Sequence, residues 1–257
     1  MKFLCLPGAY GSADMGYDSN VLNIRAIAPL VKELMSDDTA SFRFIDAPCE
    51  AVPPKDFAEF FGNPPYYRFI EPDDKDADDT DVLSRIRDFP ECDTAEDTMR
   101  ELMKEGIASS VQSTDRAIKF LFNIMEKEGP FEGIIGYSEG ATVAGTLLLH
   151  EQRRREKSGI KPQIKCAVFF AGWPPLDPVT YSMVLSDESD LMIDIHTCHI
   201  IGSLDPYVSG SLALYNTCDP DTAYIFDHGK GHTLPREKGV VKELGDVIRN
   251  MISEVSS

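Results

Sequence analysis

The stretch Phe131-Glu-Gly-Ile-Ile-Gly-Tyr-Ser-Glu-Gly-Ala141 runs from the apolar pair Ile134 and Ile135 into Gly136-Tyr-Ser-Glu-Gly140, and continues as helix-forming sequence to about Lys157. A short buried strand, a tight G-x-S-x-G turn and a helix in direct succession make a nucleophile elbow. In such a turn the serine sits in strained backbone geometry, and its hydroxyl stands clear of the sheet edge. Gly136 and Gly140 remove side chains that would collide there. Ser138 then lies at the N-terminus of a helix, whose dipole favours developing negative charge. The five-residue pattern alone is weak evidence; the strand before it and the helix after it give it weight.

Outward from the elbow, the chain alternates strand and helix. Residues 3–6 read as a short buried strand, followed by a Gly- and Ser-rich loop over 8–20. Leu22, Ile24, Ile27, Leu30, Val31 and Leu34 recur at helical spacing and predict a helix over 21–35, with Pro29 as a local irregularity. Further strands are expected at 41–45, 131–135, 164–170, 197–201 and 223–227. Further helices are expected at 108–127, with Val111, Ile118, Leu121, Phe122 and Met125 along one face, and at 240–253. This alternation predicts an α/β fold: a mostly parallel central sheet with helices on both faces. A single domain over residues 1–257 is the expectation.

Residues 50–103 break the rhythm. They hold Pro53, Pro54, Pro64, Pro65, Pro72 and Pro90, the aromatics Phe57, Phe60, Phe61, Tyr66, Tyr67 and Phe69, and an acidic run over 71–81. The acidic run reads as solvated surface. Six aromatics within thirteen residues do not stay wet. They are expected to pack over the sheet edge as a lid-like insertion or pocket wall. Tyr10, Phe60, Tyr66 and Tyr67 are the candidate substrate-pocket residues.

The 257 residues are 42% hydrophobic and 26% charged, enough for a sizeable core, and carry a net charge of −18. Such acidity argues against nucleic acid or an anionic membrane as partner. The basic triplet Arg153-Arg-Arg155 falls late in a helix, where cations complement the dipole. No apolar run reaches the ~18 residues of a membrane span. The apolar start, Met1 to Leu6, is too short for a signal peptide and is cut off by Pro7-Gly8, so a cytoplasmic location is expected. Cys5, Cys49, Cys92, Cys166, Cys198 and Cys218 are dispersed, without C-x-x-C spacing. Neither a disulfide framework, a metal site nor a cofactor is expected.

A serine hydroxyl needs a general base to become a nucleophile. Of the five histidines, His232 fits best: it follows Gly229-Lys-Gly231 in the loop after the last strand, where the imidazole can swing over the elbow. His228 is the reserve. His150 reads as helical surface, and His196 and His199 as structural. The acid that orients the base should follow the preceding strand. Gly202-Ser-Leu-Asp-Pro206 supplies Asp205 there, with Asp227 and then Asp177 as competitors. The backbone N–H groups of Glu139 and of Ala9, with Tyr10 close behind, are the candidate oxyanion-hole donors.

These pieces resemble the fungal serine hydrolase family (FSH type) of the α/β-hydrolase superfamily, which includes esterases and thioesterases of polyketide gene clusters. The likeness rests on Phe3-Leu-Cys-Leu-Pro-Gly8, Phe42-Arg-Phe-Ile-Asp-Ala-Pro48, Gly136-Tyr-Ser-Glu-Gly-Ala141, Gly202-Ser-Leu-Asp-Pro206 and Gly231-His232, spread over nearly the whole chain in order. It implies an α/β-hydrolase fold and Ser138, Asp205 and His232 as the catalytic triad. Many members have His-Gly where this chain has Pro7-Gly8, a departure that concerns the oxyanion loop. The resemblance further implies hydrolysis of a small-molecule acyl ester or thioester through a Ser138 acyl-enzyme, in release or editing of a polyketide chain borne by an acyl carrier protein. A general carboxylesterase, or a non-catalytic binding protein on the same scaffold, are the competing readings.

Overall fold

The computed structural model describes residues 1–12, 27–54, 61, 64–71, 89–104 and 110–256. Among the described residues six strands form the central sheet: β1 (Lys2–Leu6), β2 (Ser41–Phe44), β5 (Gly133–Tyr137), β6 (Cys166–Phe170), β7 (His196–Ile201) and β8 (Ala223–Asp227). They lie in the order β2-β1-β5-β6-β7-β8. Every neighbouring pair is parallel. A second, two-stranded antiparallel sheet joins β3 (Cys49–Ala51) to β4 (Tyr66–Arg68). The described helices are α1 (Ala28–Met35), α2 (Ala95–Lys104), α3 (Val111–Glu128), α4 (Glu139–Ser158), α5 (Val208–Asn216) and α6 (Lys238–Ser256).

The period of two along each strand splits the core into two layers. Leu4, Leu6, Ile134, Ala167 and Phe169 face a cluster that includes Ala117, Leu121 and Met125 of α3 and Ala144, Leu147 and Leu148 of α4. Phe3, Cys5, Ile135, Tyr137, Val168 and Phe170 face the other way, against Leu30 and Leu34 of α1 and Val241, Leu244 and Ile248 of α6. Both faces of the strands are therefore apolar, as a doubly covered parallel sheet requires. The α/β expectation holds. Among the described residues no helix is long and apolar enough to cross a membrane.

Two readings change. Pro29 does not interrupt a long helix; it sits in the first turn of α1. There its missing N–H costs nothing and its fixed φ suits the helix. Residues 21–26 of the expected helix lie outside the described residues. Where the sequence suggests a lid-like insertion without regular elements, the described residues of 50–103 include residues of strands β3 and β4 and of helix α2. α2 packs Met99 and Leu102 against Leu185 and Ala213. Its buried Glu96 accepts from Ser186 Oγ and Asn216 Nδ2, each at 2.8 Å. The acidic run lies outside the described residues apart from Glu71.

His199 on β7 is 2% exposed. Its Nε2 lies 3.0 Å from Thr197 Oγ1, and its ring packs against Phe169 and Tyr215. Burial holds its pKa down, to about 3. Between that value and an unfolded value of about 6.5 the unfolded chain binds a proton that the folded chain does not, so stability falls as pH drops through this window. Urea unfolding at pH 7 and pH 5 is expected to show an acid loss about 2 kcal/mol larger in the wild type than in His199→Leu. Equal losses would refute this assignment.

Candidate active site

In a parallel sheet the loops at the carboxyl ends of the strands share one edge, and three of them converge here. Ser138 follows β5 directly, with φ 52° and ψ −120°. Its N–H donates to Phe170 O at 2.8 Å, and its carbonyl accepts from Ala141 N at 2.9 Å to start α4. The left-handed φ is costly for a residue with a Cβ and is retained only where packing over-determines it. The packing is visible at both flanking glycines. A Cβ on Gly136 would come within 2.5 Å of Ala141 Cα, and one on Gly140 within 2.4 Å of Pro7 O. The second contact also shows how tightly the loop after β1 lies on the elbow.

Asp205 stands in the turn after β7. Its N–H donates to Gly202 O, and its Oδ1 accepts the Tyr207 N–H at 2.8 Å. The residue is 4% exposed. His232 follows β8, and its Nδ1 lies 2.7 Å from Asp205 Oδ2. A carboxylate accepts, so Nδ1 carries the proton and Nε2 presents its lone pair. Nε2 lies 3.3 Å from Ser138 Oγ, at the long end of a hydrogen bond. The acid and histidine loops are tied directly, since the Leu204 N–H donates to Lys230 O at 3.0 Å. The imidazole is held between Tyr137, 5.5 Å away, and Tyr207, 5.3 Å away and edge-on.

The competing carboxylates are engaged elsewhere. Asp227 accepts the Ser203 and Gly229 N–H groups at 3.0 and 2.8 Å. The Gly229 N–H is the main reason its carboxyl lies below the usual range. Asp177 accepts from Val179 and Thr180 N–H. The His228 ring packs beside Gly202, and its Nδ1 is buried without a hydrogen-bond partner among the described residues. His150 packs on Tyr181, and His196 lies 3.5 Å from Glu254.

Of the candidate oxyanion loop, Gly8 to Gly11 form a turn closed by Gly11 N–H to Gly8 O at 3.1 Å, with Tyr10 at φ 63°. Ala9 lies within this turn, and Glu139 is the first residue of α4. Among the candidate pocket residues, Tyr10 is buried: it packs on Phe61 and its hydroxyl accepts from Arg68 Nη1 at 3.1 Å. Tyr66 and Tyr67 are half-buried on β4, and Tyr67 bridges antiparallel to Gly11. Phe60 lies outside the described residues.

Two features escaped the reading of the sequence. Phe89, Trp173 and Tyr207 form an aromatic cluster beside His232, with ring centroids 4.9 to 6.0 Å apart. Trp173, the single tryptophan of the chain, was the available signal. The other is the Glu139 carboxylate, which accepts from Phe69 N–H at 2.6 Å and from Arg68 Nη2 at 3.2 Å. Among the described residues no group of three His, Cys, Asp or Glu side chains is placed to hold a metal ion.

A strained serine after the third strand of a parallel sheet, facing a histidine, is a feature that whole families share. The sequence profile of one of them, Serine hydrolase (FSH1), matches residues 1–244. The chain belongs to this family. As an FSH1 member it is a serine hydrolase, and relatives agree in type. Over 250 residues it is 25% identical to "Hydrolase phiM" of Talaromyces stipitatus, covering 95% of this chain and 84% of that protein. Over 133 residues it is 33% identical to "Esterase FPY3" of Fusarium mangiferae, covering 49% of this chain and 59% of that protein. The fold of this FSH1 member is the α/β-hydrolase fold. It superposes on a point variant of Arabidopsis thaliana SOBER1 with a TM-score of 0.53 at 16% identity, over 100% of both chains.

Proposed function

We propose that this serine hydrolase cleaves an acyl ester or thioester in two steps through a Ser138 acyl-enzyme. The observation that carries the reading is the hydrogen-bonded line Asp205–His232–Ser138, 2.7 and 3.3 Å long, ending on a strained elbow serine. His232 Nε2 takes the Ser138 proton as Oγ attacks the acyl carbon, and Asp205 stabilises the resulting imidazolium. The tetrahedral oxyanion is received by the N–H groups of Ala9 and Glu139. His232 returns the proton to the departing alcohol or thiol. Water then attacks the acyl carbon as the same nitrogen takes its proton, and collapse of this second adduct returns that proton to Ser138 Oγ and releases the acid.

The substrate is a small molecule with an apolar acyl part, which the half-buried Phe89 and Trp173 and the aromatic segment around Tyr66 and Tyr67 suit as pocket walls. In this reading residues 50–103 are the lid-like insertion. The family resemblance supports a polyketide chain delivered as a thioester on an acyl carrier protein. The name of the Fusarium relative, an esterase, favours the second reading, a general carboxylesterase of small esters.

A fluorophosphonate probe is expected to label the wild type on Ser138. No labelling would support a binding protein instead, and equal labelling of Ser138→Ala would sink the reading of Ser138 as the nucleophile. Acyl release from a carrier-protein thioester, compared with a p-nitrophenyl ester of the same chain, separates the two enzyme readings. A kcat/KM at least tenfold higher for the thioester is the expected result, and preference for the free ester favours the carboxylesterase.

A further inference from the structure

Glu139 presents a chemical problem. The residue whose N–H is read above as a donor to the oxyanion also carries a carboxylate only a few bonds away. In a low-dielectric site a like charge at that range opposes the developing negative oxygen. The structure shows what meets it. Arg68, on β4, donates Nη2 to Glu139 Oε2 at 3.2 Å, while the neighbouring Phe69 N–H donates to Oε1 at 2.6 Å. The pair is largely out of water, with side chains 17% and 12% exposed. It is thus not an ordinary surface ion pair of negligible effect. The same guanidinium donates Nη1 to the Tyr10 hydroxyl at 3.1 Å and lies over the Tyr10 ring. Tyr10 directly follows Ala9, and its neighbour Gly11 bridges to Tyr67 of β4. One cation from the aromatic insertion therefore touches both segments that carry the oxyanion donors.

We propose that Arg68 is a positioning residue of the reaction: it neutralises and fixes the Glu139 carboxylate, so that the two donor segments face the oxyanion without an opposing charge. The inference rests on the oxyanion reading given above. Steady-state hydrolysis of a short p-nitrophenyl ester tests it, with Arg68→Met, Arg68→Lys, Glu139→Gln and the Arg68→Met/Glu139→Gln double variant. Arg68→Met is expected to lower kcat by about 10- to 100-fold with KM changed by less than about threefold, because the opposing charge acts on the transition state. Removing the carboxylate should then rescue the arginine loss, bringing kcat of the double variant within about threefold of Glu139→Gln alone. A merely structural contact predicts no rescue. Arg68→Lys keeps the charge but not the fork that reaches both Glu139 and Tyr10, so its kcat should fall between those of wild type and Arg68→Met. If Arg68→Met does not fold, Arg68→Lys with and without Glu139→Gln carries the cycle, and a lysine loss that Glu139→Gln does not relieve overturns the proposal. So does an Arg68→Met variant within about twofold of wild type, or a double variant as slow as Arg68→Met. Phosphonate labelling of wild-type Ser138 separates the two levels: failure to label sinks the site reading, whereas labelling with an unaffected Arg68→Met sinks this inference alone.

Discussion

Ser138→Ala is expected to lower kcat/KM on a p-nitrophenyl ester by on the order of 10⁵-fold. In the proposed mechanism the hydroxyl is the atom that forms the acyl bond, so its removal leaves only binding and the oxyanion donors. The change should not unfold the protein. What holds residue 138 at φ 52° is its backbone N–H to Phe170 O and the close packing of Gly136 and Gly140, and none of these needs Oγ. Thermal unfolding should therefore stay within a few degrees of wild type, and KM should be little changed. Residual activity above about 1% of wild type would overturn the assignment of the nucleophile.

Asp205→Asn is expected to reduce kcat by about 10⁴-fold with a much smaller change in KM. The geometry explains the size. Oδ2 lies 2.7 Å from His232 Nδ1 and holds the proton on that nitrogen. An asparagine that keeps its carbonyl oxygen on the Tyr207 N–H turns its amide donor toward Nδ1 instead. The imidazole must then carry its proton on Nε2, where it faces the Ser138 hydroxyl and cannot accept from it. Phosphonate labelling of Ser138 should slow in parallel. Asp227→Asn provides the control. Its carboxylate serves the Ser203 and Gly229 N–H groups, so kcat should stay within about threefold of wild type. A large loss at Asp227 with none at Asp205 would reverse the assignment of the acid.

Much of the architecture was legible in local sequence. The strands of the sheet announced themselves as short apolar runs, because a parallel strand covered on both faces has no polar side to show. The helices showed their periodicity for the opposite reason: α3 buries Ala117, Ile118, Leu121, Ile124 and Met125 and leaves Arg116, Lys119, Asn123 and Glu126 to solvent. The small elements were not legible. β3 and β4 are three residues each, too short for an alternating pattern, and they exist because Tyr66 to Arg68 pair with Ala51 to Cys49. Helix α2 carries a strong polar face, and its amphipathic signal was hidden in a Pro- and acid-rich neighbourhood. The start of α1 was hidden for a simple reason: proline at the first turn and proline within a helix look alike until the helix has an observed beginning.

What the sequence by itself determined is the elbow, the alternation that builds the sheet, and the chain order of serine, acid and histidine. Each depends on neighbours a few residues apart: glycines at a tight turn, apolar periodicity, short loops after strands. Tertiary structure alone decided which carboxylate meets His232. Asp205, Asp227 and Asp177 all lie at or after the ends of strands, but Asp205 is the one whose Oδ2 reaches His232, while Oδ1 of Asp227 and of Asp177 accepts backbone N–H groups. It also decided the aromatic packing of Phe89, Trp173 and Tyr207, and the ion pair of Arg68 with Glu139 across 71 positions of the chain. Sheet register and loop packing set those distances, and no local pattern encodes contacts between segments so far apart.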